Sequence, residues 1–222
     1  MSNQPASAAA PEIVFQTPGP HPNGMQATAE GLWILDQETN QLHLVSFSGV
    51  VLRALQTNAD RGSGVTHDGT SLWVASTYSR EILCVNPATG ETLAAYPSPG
   101  AQKTGAHGLE WRDSTLWIAN PPSATIYQVN VQDGFRVVHS FPAPGNRPHG
   151  IAWQGEDLWC VETNHRAIFR MDAKTGAILQ RVELPSPAPE PHGMTIWDGH
   201  FWYCDANTRS VCRLPLPAGG RP

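Results

Sequence analysis

Charge is scarce in this sequence. Only 15% of its 222 residues are Asp, Glu, Lys or Arg, and the formal net charge is −5. Fourteen Lys plus Arg stand against nineteen Asp plus Glu. That balance leaves no broad basic footprint, so nucleic acid is not expected as a partner. No apolar run approaches the roughly 18 residues of a membrane span, so no membrane partner is expected either. The four cysteines, Cys84, Cys160, Cys204 and Cys212, form no C-x-x-C pair and are too sparse for a disulfide framework. Free thiols in a reducing cytoplasm are the expectation. The opening MSNQPASAAAPE lacks the basic start and apolar stretch of a secretory signal. The phosphate loop G-x-x-x-x-G-K-S/T, the zinc motif H-E-x-x-H and the nucleophile elbow G-x-S-x-G are all missing. Nucleotide hydrolysis, zincin chemistry and ordinary serine-hydrolase chemistry therefore have no support.

What is present is tryptophan, glycine and proline: eight, twenty and twenty residues. Such a composition suits many short strands divided by turns. Leu-Trp recurs at Leu32-Trp33, Leu72-Trp73, Leu116-Trp117 and Leu158-Trp159, with Phe201-Trp202 as a variant. The tryptophans follow one another at 40, 44, 42 and 43 residues, within the roughly 40–45 residues of a propeller blade. Ten residues before each stands a second marker: Asn23, Ser63, His107, His149 and His192, each followed by Gly and an apolar residue. Runs of β-rich sequence alternate with turn residues such as Gln154-Gly155 and Lys174-Thr175-Gly176, and no helical stripe intervenes. The last repeat stops after its third strand, while Glu12–Gln16 reads as a strand without a blade. We therefore expect an all-β, five-bladed β-propeller of four-stranded blades over residues 12–217. The N-terminal strand would close the ring by completing the last blade. Residues 1–11 and 218–222 read as flexible tails.

In an antiparallel hairpin the indices of facing residues have a constant sum. With the turn centred between Gly155 and Glu156, His149 is expected to face Glu162. The same arithmetic pairs His107 with Asn120, His192 with Asp205, Ser63 with Ser76 and Asn23 with Asp36. The first strand of a blade lines the channel, so Asn23, Ser63, His107, His149 and His192 should ring one mouth. Three imidazoles on one axis are a candidate divalent-metal set, with zinc, iron or nickel the choice by ligand type. His149 and Glu162 are the candidate catalytic pair, with His107, His149 and His192 as metal ligands. Asn23, Asp36, Ser63, Asn120, Asp205, Tyr78 and Arg166 are candidates for substrate contact or for orienting the ligands. Without metal, the cluster is still suited to acid–base work or to binding an anion. A purely structural ring is the competing reading, since Asn and Ser fill the same position in two repeats.

Pro148-His149-Gly150-Ile151 followed by Leu158-Trp159-Cys160-Val161-Glu162 resembles the repeat of the virginiamycin B lyase (streptogramin lyase) family. Pro191-His192-Gly193-Met194 with Phe201-Trp202-Tyr203-Cys204-Asp205 is a looser copy. The resemblance runs over roughly residues 20–216 and implies metal-assisted elimination on a cyclic depsipeptide, with magnesium as the metal. It carries over to His149 and Glu162, with His192 as their neighbour. That family has seven blades, and five repeats imply a narrower pocket and a smaller substrate. The expectation is a metal-dependent lyase or hydrolase acting on a small molecule or peptide. The alternatives are a non-catalytic binding propeller of the NHL or YncE-like type, and an enzyme similar to the five-bladed glutaminyl cyclotransferases.

Overall fold

The computed structural model describes residues 7, 8 and 10–217. The tail expected at 218–222, and most of the one expected at 1–11, lie outside the described residues. The chain forms five antiparallel blades in a ring. Blade one is Pro22–Thr28, Gly31–Asp36, Gln41–Val45 and Val51–Gln56. Blade two is Gly62–His67, Leu72–Ser76, Glu81–Val85 and Thr92–Pro97. Blade three is Gly108–Arg112, Thr115–Asn120, Thr125–Asn130 and Arg136–Pro142. Blade four is Pro148–Gln154, Asp157–Glu162, Ala167–Asp172 and Ile178–Glu183. Blade five takes Met194–Trp197, His200–Cys204 and Ser210–Pro215 from one end of the chain and Glu12–Gln16 from the other. This is the five-bladed propeller expected from the repeat, closed by the N-terminal strand. A short strand, Ser7–Ala8, adds in parallel to the outer edge of blade four.

Burial explains the sequence of each strand. Second strands such as Gly31–Asp36 and Asp157–Glu162 are buried at every position and read as apolar runs. The outer strand Thr92–Pro97 alternates between half-buried and exposed positions and turns Tyr96 inward, while Leu93 is exposed. Five apolar clusters fill the ring, and each joins one blade to the next. Trp33 packs with Val65, Leu72 and Val74 of blade two, and Trp202 packs with Met25 and Leu32 of blade one. Trp73, Trp117 and Trp159 occupy the same place at the other three boundaries. The repeated tryptophan is thus the bolt of each blade boundary, and truncating one such buried ring costs about 3–5 kcal/mol.

At the axis the inner strands pack backbone against backbone. A Cβ on Gly24 would lie 2.1 Å from Ser63 O, and one on Gly108 would lie 2.0 Å from His149 O. Gly64, Gly150 and Gly193 meet the next blade in the same way, and Gly193 closes the circle against Asn23 O at 2.6 Å. Reaching this contact requires a β-bulge at the start of each inner strand, and the bulge corrects the expected pairings. Glu162 faces Pro148, not His149, and the ladder resumes at Ile151 and Cys160. Asp36 faces Pro22, not Asn23, and Ser76 faces Gly62, not Ser63. His192 N–H donates to Cys204 O and Cys204 N–H to Gly193 O, so one residue opposes two and Asp205 is displaced from His192. His107 N–H donates to Ala119 O, the residue that also faces Gly108, which displaces Asn120 likewise. A constant index sum fails wherever two residues bulge against one.

Gly108→Ala is expected to cost about 3 kcal/mol or abolish folding, because its new methyl meets rigid backbone. Gly155→Ala, at a turn with open space and φ +58°, is expected to cost about 1 kcal/mol. Urea denaturation of the two variants checks the contrast.

Candidate active site at the channel mouth

The bulge lifts one side chain per blade to the rim of the channel. Below it, glycine backbone with Met25, Val65, Leu109 and Met194 seals the axis, leaving no room for a water molecule. The mouth is therefore a closed cup. In blades one and two its wall is Ser63 Oγ–H donating to Asn23 Oδ1 at 3.0 Å. In blades three to five it is three imidazoles in edge-to-face contact, with centroids 4.7 Å apart for His107 and His149 and 4.9 Å for His149 and His192.

Hydrogen bonds settle the tautomers. Thr163 Oγ1–H donates to Pro191 O, so it accepts from His149 Nδ1–H at 3.0 Å. Arg147 O, two residues before the ring, accepts from the same Nδ1–H at 3.1 Å. His149 Nε2 is then an acceptor, and His107 Nδ1–H donates to it at 3.1 Å. His192 repeats the device, with Nδ1–H toward Glu190 O at 3.4 Å. Its bare Nε2 lies 3.7 Å from Glu190 Oε1. All three rings are held neutral. Burial, with the Arg147 guanidinium and a neighbouring imidazole, lowers His107 to about 4. Burial and Arg147 bring His192 to about 4, and burial beside two other imidazoles holds His149 well below the usual range.

The expected three-imidazole metal centre does not fit this arrangement. His107 Nδ1 and His149 Nε2 point at each other across a shared proton rather than at a common centre. Among the described residues, no group of three or more His, Cys, Asp or Glu side chains is placed to hold a metal ion.

The second ring has a different role. Glu162 is buried, and its Oε1 accepts Arg147 N–H at 2.6 Å while Oε2 accepts His165 N–H at 2.8 Å. Asp205 accepts Glu190 N–H at 2.8 Å and Asn207 N–H at 2.7 Å. Asp36 accepts His21 and Thr39 N–H, Ser76 Oγ accepts Asp60 N–H, and Asn120 bridges Ser123 N–H and Pro99 O. Each ties the loop entering its blade to the turn after its second strand. Glu162 thus makes no contact with His149; it holds Arg147, whose carbonyl orients that ring. Tyr78 is half exposed, with Arg61 over its ring.

Arg166 lies beside Glu190, whose other carboxylate oxygen approaches His192. It lines a cleft of about 480 Å³ between blades four and five, together with Glu190, Asp205 and the Pro187–Pro189 loop. Its Nη2 donates to Ala188 O, and its Nη1 lies 3.8 Å from Glu190 Oε2. Arg147 Nη1 approaches Glu190 Oε1 at the same distance. Glu190 is thus a carboxylate between two guanidiniums and an imidazole. Sequence reading missed Glu190, Arg147 and Thr163. The signal for the first two was there: both stand two residues before a ring histidine, in Arg-Pro-His-Gly and Glu-Pro-His-Gly.

The cysteines are free thiols, and burial raises Cys204 and Cys212 to about 12, which makes them inert. Among the described residues no helix is long and apolar enough to cross a membrane.

No family model and no curated protein matches the sequence. Solved structures do match in shape. A glutaminyl cyclase from Myxococcus xanthus aligns with TM-score 0.75 and 10% identity, over 94% of this chain and 97% of that one. A catalytically inactive virginiamycin B lyase from Staphylococcus aureus, with quinupristin, aligns at 0.59 and 20% identity, over 88% of this chain and 66% of its own. A streptogramin B lyase aligns at 0.58 and 18%, over 94% and 73%. The chain is a β-propeller similar in fold to these enzymes. It matches the cyclase over nearly the whole of that chain and the Staphylococcus lyase over about two thirds of its length.

Two outcomes follow. Glu162→Ala removes two charge-assisted bonds from buried loop amides, and a loss of about 2–3 kcal/mol in urea denaturation is expected. The imidazoles make stability depend on pH. Their folded pKa values lie below the ordinary 6.5, so between about 4 and 6.5 the unfolded chain binds more protons. Their contribution to stability is full above pH 6.5 and falls as pH drops through that window, while Glu110, raised by burial to about 8, acts with the opposite sign and is the same in wild type and in His149→Asn. His149→Asn, which places there the residue blade one already uses, is expected to flatten the fall in denaturation curves taken from pH 7.5 to 4.5.

Proposed function

We propose that the protein is an enzyme with its active site at the sealed mouth, and that it is a lyase. The observation that carries this reading is His192 Nε2, neutral and unprotonated, 3.7 Å from the Glu190 carboxylate that lines the adjoining cleft. A neutral imidazole held in one tautomer by a carbonyl can accept a proton, and since burial makes His192 a weak base, the Glu190 carboxylate must stabilise the imidazolium that forms. A small molecule or peptide bound in the cleft presents a C–H next to a carbonyl to this pair. The base takes that proton, the C–H electron pair forms a C=C bond to the neighbouring carbon, and the C–O bond on that carbon breaks, its ester or lactone oxygen leaving as a carboxylate. Arg147 and Arg166 supply positive charge where the carbonyl oxygen turns negative. His107 and His149 form the hydrogen-bonded wall that keeps the site in register.

The likeness to lyase propellers supports the reaction class, and no step here passes through a metal. A second reading, cyclisation of an N-terminal glutamine, is favoured by the near full-length overlap with the glutaminyl cyclase. A binding propeller without catalysis is the remaining alternative.

A small cyclic depsipeptide with a lactone linkage and a glutamine-initiated peptide, each incubated with the protein and followed by mass spectrometry, separate these readings. Elimination opens a lactone with no change of mass, hydrolysis adds one water, and glutamine cyclisation loses ammonia. The expected result is an isomeric product, with the rate reduced about 10²–10⁴-fold in His192→Ala. Glu190→Gln should fall as well, while Tyr78→Phe stays at the wild-type rate. Turnover of neither compound would sink the enzyme reading. Activity lost in EDTA and restored by Mg²⁺ would overturn its metal-free form.

A further inference from the structure

We propose that the cleft between blades three and four, at the face of the ring opposite the mouth, is a second ligand site that takes a phenol-type aromatic ring. The cleft measures about 360 Å³ and is walled by Trp117, Trp153, His139, Gln128, Arg112 and Lys174. It lies where the strand-one-to-two and strand-three-to-four turns emerge, and shares no residue with the histidine cup or the Glu190 cleft.

At two of the other four blade boundaries a ring from the corresponding turn fills this place. At the boundary of blades two and three, the outer turn of blade three sends Phe135 against Trp73 at 6.2 Å and Tyr96 at 4.5 Å. At the boundary of blades five and one, the corresponding turn of blade one sends Phe47 against Trp202 at 5.4 Å and Trp197 at 5.6 Å. In blade four the same turn carries Ala173 and Lys174, and no aromatic ring from it reaches Trp117. The walls are nonetheless built for one. Trp117 and Trp153 meet edge to face at 5.0 Å. Arg112 lies 4.3 Å over the Trp153 ring, and bonds to Asp113, Glu156 and Gly155 O hold it there.

The polar atoms narrow the class further. Trp153 Nε1 and His139 Nε2 are buried and have no hydrogen-bond partner among the described residues. An indole N–H only donates, while an imidazole nitrogen donates or accepts. Both nitrogens are closed to solvent as they stand, and a hydroxyl on the incoming ring can answer either once its side chain turns toward the cleft. The cationic groups of the lining, Arg112 and Lys174, are matched in number by the carboxylates Asp113 and Glu156, which suits a neutral phenol over an anion. A tyrosine side chain of a peptide and a free small phenol share this chemistry.

The test is titration of ¹⁵N-labelled protein with N-acetyl-tyrosinamide, p-cresol and N-acetyl-phenylalaninamide. The Trp153 indole resonance is followed, assigned by its loss in Trp153→Phe. The expected result is a saturable shift with both phenols and at least tenfold weaker binding of the phenylalanine compound. Lys174→Phe, which places a ring in the cleft from within, should abolish the shift while leaving the melting temperature and the mouth unchanged. Should that variant fail to fold, Trp153→Phe serves instead, and is expected to lose the preference for phenol over phenyl, read on the His139 imidazole resonances. Tyrosinamide binding tenfold tighter than p-cresol assigns a peptide source, and equal binding assigns a free phenol. No saturable shift, equal affinity for the phenylalanine compound, or undiminished binding by folded Lys174→Phe overturns the proposal.

Discussion

Around the axis each inner strand meets the next at a distance that excludes even a methyl group, as between Gly108 and His149 O. Five glycines accept that contact, and the rest of the architecture depends on it. The contact draws five blades tight enough to seal the channel. It also forces the bulge that turns the residue before each glycine onto the rim. The cup therefore follows from the same backbone approach that closes the ring. Further out, the repeated tryptophans hold the blades at their boundaries, and the N-terminal strand completes blade five so that no blade is left unfinished.

The mouth shows how one repeat position can be turned to chemistry. Asn23 and Ser63 bond to each other and make a quiet wall. His107, His149 and His192 are stacked edge to face, neutral, and fixed in tautomer by backbone carbonyls and Thr163. Burial beside the Arg147 guanidinium keeps protons off the rings. A loop carboxylate, Glu190, then brings negative charge beside the one bare nitrogen of His192. The buried acidic ring that includes Glu162 and Asp205 has architectural work: it holds the loops that carry Arg147 and Glu190. In blades four and five the imidazole and the anchoring carboxylate stand 13 residues apart, His149 with Glu162 and His192 with Asp205, and the bulge keeps each pair from facing.

Much of this was legible in the residues. Leu-Trp at a period of 40–44 and a Gly-marked position ten residues earlier are enough for blade number, strand count and ring closure. They also place three histidines at one mouth. Less was legible in the site itself. An index sum assumes an unbroken ladder, so it set His149 opposite Glu162 and suggested a catalytic pair that the structure keeps apart. Glu190 and Arg147 precede ring histidines in the sequence, yet their importance comes from loops of two blades meeting over the cup.

The sequence by itself determined the propeller, because a repeat dictates the same blade five times and each blade can bury its apolar faces only against its neighbours. Tertiary structure alone decided which polar groups act together. Ring contacts at the mouth and the Glu190 bridge both join different blades, and their geometry depends on sub-ångström packing at the axis. The cleft of Trp117 and Trp153 likewise exists only where two blades meet and the turn of one supplies no ring. Period and spacing carry no information about such contacts, since they join residues that neither repeat with one another nor lie near in the chain.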